Sequence, residues 1–166
     1  ERERAETPAG YAPGRRRSYE LLRALYGDTA SQVVGSLRAI RAFGQQWSLV
    51  PEAARAFFRA AREITAKLQE QPDLEPWLKK DGTFCWRLIA GECVLSAHSF
   101  GIAFDIGVKR GATYWRWSPL RPHPLQQTYA PDIVRAFEDQ GFIWGGTWHE
   151  FDLMHYEYRP ALICKA

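Results

Sequence analysis

A chain of 166 residues, 46% hydrophobic and 25% charged, has the size and balance of one globular domain with a single sizeable core. Its formal charge of +3 is mostly terminal: residues 1–17 hold five Arg against three Glu, and the remaining body is at +1. That excludes the dense basic stripe of a broad nucleic-acid-binding face, and no apolar run approaches the length needed to cross a bilayer. No signal peptide is visible, and the chain opens on Glu1 rather than Met, as a mature or trimmed form would. Cys85, Cys93 and Cys164 form neither a CxxC pair nor a dense framework. A Cys85–Cys93 bridge and free thiols are both compatible with the spacing, so the compartment stays open.

In chain order, residues 1–17 are rich in Arg, Glu, Pro and Gly, with few large apolar groups, and are expected to be poorly ordered. A single domain then covers residues 18–166. Ser18 is placed to cap a short helix through Tyr19, Leu21, Leu22 and Leu25, ending near Gly27. Residues 36–43 alternate as a weak strand closed by Gly44. Pro51 to about Gln69 is the clearest helix, with Phe57, Ala61, Ile64 and Leu68 at helical spacing and Pro72 beyond its end. A short helical turn is expected between Asp73 and Lys80.

The β-rich run Phe84–Ile89 turns at Gly91 into Val94-Leu95-Ser96, and 102–106 reads as a buried strand. Residues 107–130 lack clean periodicity, and a loop of that length is more often functional than filler. Residues 132–140 are helical between Pro131 and Gly141. Phe142-Ile143-Trp144, a Gly145-Gly146 turn and a last strand near 154–158 close the chain. With no repeat and no linker, the fold class is α+β.

Two stretches carry chemistry. His98 and Asp105 are separated by six residues, and Asp152 stands three positions before His155. Gly101 permits a turn between His98 and the strand that carries Asp105, and antiparallel pairing would bring His155 alongside. One such His would more often be a core residue. Two His with two spaced Asp point to a mononuclear zinc site, where three protein ligands leave a coordination position for water. The spare carboxylate can then act as general base and acid. We take His98, Asp105 and His155 as ligands and Asp152 as the base, although spacing alone permits the reverse assignment of the two Asp.

The pattern Ser96-x-His98-x-x-Gly101-x-Ala103-x-Asp105, with Trp144-Gly145-Gly146-x-Trp148 and Asp152-x-x-His155-Tyr156-Glu157, resembles the D-Ala-D-Ala carboxypeptidase and L-Ala-D-Glu endopeptidase family of zinc peptidases. Phe84-x-Trp86-Arg87-x-Ile89 and Tyr114-Trp115-x-Trp117 look like its cell-wall peptidase subgroup. The resemblance covers about residues 36–160, and the chain departs from the usual pattern at Thr147 and Met154. It implies a small antiparallel sheet carrying the zinc site and packed against helices. It also implies His98, Asp105 and His155 on Zn2+, Asp152 as catalytic carboxylate, and Arg87 on the scissile carbonyl or a substrate carboxylate. Ser96 matches a position that holds substrate in some relatives.

Bottom-up, Arg87 suits its task as a planar cationic fork, with a surface Arg as the plain alternative. The Ser96 hydroxyl is as readily a turn cap. Trp148, Tyr156, Tyr114 and Trp115 are candidate groove walls, although most such aromatics are core. His149, a neighbour of the catalytic segment, reads as a solvent-facing residue, with an oxyanion or ligand-supporting group as the alternative, and His123 reads as a loop residue. The expected protein is a monomeric peptidase of peptidoglycan stem peptides in the cell envelope, periplasmic or secreted. Whether it removes a terminal D-Ala or cuts an internal bond is open. Its competitors are a non-catalytic zinc-containing binding module and a metal-free domain.

Overall fold

The computed structural model describes residues 9–163. Two short helices and a hairpin lead into the main helix. Helix α1 (Tyr19–Tyr26) has Ser18 as its N-cap, accepting from the Leu21 amide, and ends at Gly27. Helix α2 (Ala30–Ser36) was not expected from periodicity, yet its signal is present: Thr29 and Gln32 form a capping box. Strands β1 (Arg38–Ala42) and β2 (Gln45–Leu49) form a hairpin, pairing Arg38 with Leu49 and Ala42 with Gln45. Phe43 and Gly44 both adopt positive φ (53° and 68°), the condition for a two-residue turn that follows the twist of its strands. The expected weak strand is thus half of a hairpin whose second half carries the buried Trp47 and Leu49.

Helix α3 (Pro51–Lys67) starts on Pro, and its Ala53, Ala56, Phe57, Ala60 and Ile64 are fully buried. The expected turn follows as a 3-10 helix at Pro72–Leu78. Strands β3 (Lys80–Gly82), β4 (Ala103–Ile106), β5 (Phe142–Trp144) and β6 (His155–Tyr158) make an antiparallel sheet in the order β3-β4-β6-β5. A single-turn helix α4 (Leu125–Thr128) lies within the long loop, and α5 (Pro131–Glu138) follows it. The fold class is therefore α+β, as expected.

Register decides the function of the sheet. Residues directly opposite in an antiparallel pair share a face, and successive residues alternate faces. Phe104 pairs with Tyr156, and Asp105 pairs with His155. The Phe104 face joins Trp47, Phe57, Phe137 and Phe142 in one cluster of ring contacts, with α3 and α5 behind it. The Asp105 face is left for polar chemistry. The core thus fixes the backbone that positions both residues.

Two expectations are corrected. Residues 84–89 form no strand: the run is extended, with one bridge, Leu88 to Leu95. The Ser99 hydroxyl interrupts the ladder by accepting from the Arg87 amide at 2.9 Å and lying 2.9 Å from the Arg87 carbonyl. Disorder was expected for residues 1–17. Residues 1–8 fall outside the described residues, but 9–17 lie against the domain, with a 3-10 turn at Pro13–Arg15. The reason is electrostatic: the Arg17 guanidinium grips Glu157 at 3.1 and 2.6 Å, and neither side chain is more than 4% exposed.

Candidate metal centre

His98 sits on a 3-10 turn, Ala97–Phe100, capped by the Ser96 hydroxyl and closed by Gly101 at φ 65°. A side chain there would strain the backbone and meet Leu37 Cδ2 at 2.6 Å, so the turn requires glycine. The turn delivers His98 to the face of the sheet where Asp105 and His155 stand opposite each other. His98 and His155 are buried, and the Asp105 side chain is 13% exposed.

The second ring nitrogen of each His fixes its tautomer. His98 Nδ1 lies 2.6 Å from the Thr83 carbonyl and can satisfy it only by donating, which leaves the Nε2 lone pair facing the cluster. His155 Nε2 points toward Glu157 Oε2 at 3.5 Å, within ion-pair reach although too poorly aligned for a hydrogen bond. That leaves His155 Nδ1 facing inward. The three inward groups form a triangle in which Asp105 turns a different oxygen to each imidazole. His98 Nε2 is 3.2 Å from His155 Nδ1, His155 Nδ1 is 3.1 Å from Asp105 Oδ1, and His98 Nε2 is 3.2 Å from Asp105 Oδ2.

Tetrahedral zinc with bonds of about 2.0–2.1 Å separates its ligand atoms by roughly 3.3 Å. The two imidazole nitrogens already hold that spacing, and with one Asp105 oxygen all three ligand atoms lie within 4.8 Å of one another, so the set could hold a metal ion. Two imidazole lone pairs and a carboxylate turned inward also need a cation on electrostatic grounds. The proton affinities express the same demand. Burial opposes charge on His155, but Asp105, Glu157 and Asp152 outweigh it and raise its pKa to about 9. Burial pushes the Asp105 carboxyl up, yet His98 and His155 beside it hold it well below the usual carboxylate range. For Glu157, burial is likewise outweighed, chiefly by Arg17.

Asp152 is brought to the site without joining the triangle. Its backbone bridges Tyr114, its amide donates to the Gly145 carbonyl at 3.0 Å, and its Oδ1 is buried with no hydrogen-bond partner among the described residues. Burial raises its pKa to about 6, with nearby Asp105 adding to the rise and His155 opposing it. A carboxylate whose affinity lies near neutrality is poised to take and return a proton.

A cleft of about 170 Å³ opens over these groups and is lined by all four, with Ser96, Arg87, Tyr114, Trp148 and the terminal-segment Arg15 among its walls. Arg87 is on an exposed part of the wall, its Nη1 3.3 Å from the Leu88 carbonyl. Ser96 lines the cleft while capping the His98 turn, so the structural reading of its hydroxyl holds in any case. Trp148 is buried edge-on to the His155 ring at 5.8 Å.

Tyr156 is not a groove wall. It is 0% exposed and stacked on Phe104 at 5.1 Å, because its neighbours His155 and Glu157 take the other face of the strand. His149 is exposed, and His123 turns its Nδ1 to the Leu125 amide. Cys85 and Cys93 are exposed free thiols, and Cys164 lies outside the described residues.

Sequence reasoning missed the surroundings of the ligands. Thr83 supplies a backbone carbonyl and leaves no side-chain signal. Glu157 was visible beside His155, in phase on the same face. Arg15 and Arg17 stood in a segment that composition marked as unstructured.

Residues 90–158 match the family model described as D-alanyl-D-alanine carboxypeptidase. The segment bearing His98, Asp105, Asp152 and His155 is thus similar to that peptidase family, in agreement with the resemblance in the sequence. No curated protein and no solved structure matches the chain. Among the described residues no helix is long and apolar enough to cross a membrane.

Proposed function

We propose that this chain is a zinc-dependent peptidase that hydrolyses amide bonds in the stem peptides of bacterial peptidoglycan, acting as a monomer in the cell envelope. The observation that carries the reading is a metal-competent His98–Asp105–His155 triangle sharing one cleft with the unpartnered Asp152 Oδ1. His98, Asp105 and His155 would hold the ion. Zinc, when bound, supplies Lewis acidity that acidifies water and polarises a carbonyl.

The chain's own groups do the rest. Asp152 takes a proton from the attacking water and returns it to the departing amine nitrogen. Burial keeps its proton affinity close to what both transfers need. Arg87, at the rim of the same cleft, offers N–H donors to the scissile carbonyl oxygen as charge develops there. Trp148 and Tyr114 exclude water from one wall and restrict the peptide's approach. The family match supports the substrate class.

A purely structural zinc site is disfavoured by Asp152. A buried carboxylate oxygen without a partner costs stability and is retained where it has a task. Asp152→Asn tests this directly. Purified muropeptides digested with the variant should show cleavage reduced at least about 100-fold, as expected for loss of a general base, with metal content unchanged. Undiminished turnover by Asp152→Asn would remove the assignment.

A further inference from the structure

The family match begins at residue 90, yet the cleft is completed by a side chain far upstream. We propose that Arg15, carried by the terminal segment, binds a carboxylate of the peptide substrate and so sets the enzyme's preference for anionic peptides. This rests on the peptidase reading above and adds a specificity residue to it.

Three observations carry it. The Arg15 guanidinium lies over the Tyr114 ring at 5.0 Å and the Trp148 ring at 5.8 Å, and its side chain is only 14% exposed. Its Nη1 has one acidic neighbour within ion-pair range among the described residues, Glu92 at 3.5 Å. Its Nε and Nη2 are buried with no hydrogen-bond partner among them. A buried guanidinium edge with two free N–H groups is costly alone and matches the two oxygens of a carboxylate.

The segment that carries Arg15 is also held in place. Arg17 grips Glu157, the His149 amide donates to the Tyr11 carbonyl at 2.7 Å, and Gly14 packs on the Trp148 indole where a Cβ would collide. Arg15 is thereby fixed in a cleft shared with His98, Asp105, Asp152 and His155. Arg17 lines the same cleft, but Glu157 already occupies its fork. Arg17 keeps one buried donor without a partner, Nη1, whereas Arg15 keeps two, Nε and Nη2, enough for both oxygens of a carboxylate.

The carboxylate has two sources in a stem peptide: the C-terminal α-carboxylate and the free carboxylate of a D-Glu residue. The test uses the zinc-loaded full chain and one stem peptide in three forms: unmodified, amidated at its C-terminus, and amidated at D-Glu. Arg15→Met keeps a long unbranched side chain beside the two rings without the donors, and Arg15→Lys keeps the charge without the fork.

Arg15→Met should raise KM for the unmodified peptide about 10- to 100-fold while changing kcat far less, with Arg15→Lys intermediate. Amidation at the recognised carboxylate should impose the same penalty on the unsubstituted enzyme and none on Arg15→Met. The form that does so identifies the source. Equal sensitivity of all three peptides to Arg15→Met, or no sensitivity at all, overturns the proposal.

Calorimetric binding of the three peptides to Asp152→Asn and Asp152→Asn/Arg15→Met separates this inference from the peptidase reading. Arg15-dependent discrimination by an unsubstituted protein that cleaves nothing would retire the activity and keep the clamp. Cleavage without such discrimination would do the reverse.

Discussion

Glu157→Gln should be among the most damaging conservative changes in this chain. The carboxylate is fully buried and meets two guanidinium groups and one imidazole: Arg17 at 3.1 and 2.6 Å, Arg159 at 2.8 Å, and His155 Nε2 at 3.5 Å. Gln keeps the volume but removes the charge, leaving Arg17 4% exposed with no anion. Breaking a buried pair from one side costs about 3–5 kcal/mol, far above the value of a surface pair. For a domain of this length, 1 kcal/mol moves Tm by roughly 2–4 °C, so the expected fall is about 6–20 °C.

Urea unfolding should give the same loss. Arg17→Met/Glu157→Gln should cost less than the sum of its single changes, since neither partner is stranded. His155 also loses the group that orients its ring, so metal affinity should drop about 10- to 100-fold. A loss below about 1 kcal/mol, or strict additivity in the double variant, would refute the buried-pair reasoning.

Two further substitutions probe the walls of the cleft. Tyr156→Phe should leave KM for a stem peptide unchanged, because the ring belongs to the Phe104 face, and should lower stability by no more than about 1 kcal/mol. Steady-state kinetics beside urea unfolding check both, and a raised KM would return Tyr156 to the groove. Gly14→Ala should displace the terminal segment from Trp148, raising KM several-fold while metal content stays constant. Wild-type kinetics in that variant would mean that the segment's seat on Trp148 has no bearing on the cleft.

The His98–Asp105–His155 cluster was legible because its information is local and periodic. Gly101 between His98 and Asp105 signals the turn, and a two-residue strand period puts Asp105 and His155 on one face once β4 and β6 pair. The same period argues against Tyr156 as a groove wall, since a residue between His155 and Glu157 must face the opposite side. Its aromatic character suggested a wall, but the strand alternation fixes its side.

Residues 84–89 show the opposite failure. Their β-rich composition is real, but their backbone bonds run to the irregular stretch 94–98, and the Arg87 amide goes to the Ser99 hydroxyl, so no regular ladder forms. Composition was equally blind to the terminal segment. Its order comes from one buried charge pair spanning most of the chain, Arg17 with Glu157, and no window of sequence contains both partners. The capping box at Thr29 and Gln32 was a readable sign of α2, overlooked because that helix has little apolar periodicity.

The most direct test of the central claim is metal analysis of the protein purified without added zinc, set beside His155→Ala. One ion per three-ligand site predicts about one zinc per wild-type chain and close to none in the variant at similar fold content. Wild-type protein that carries no metal and takes up none on titration, or a His155→Ala variant that retains a full complement, would contradict it.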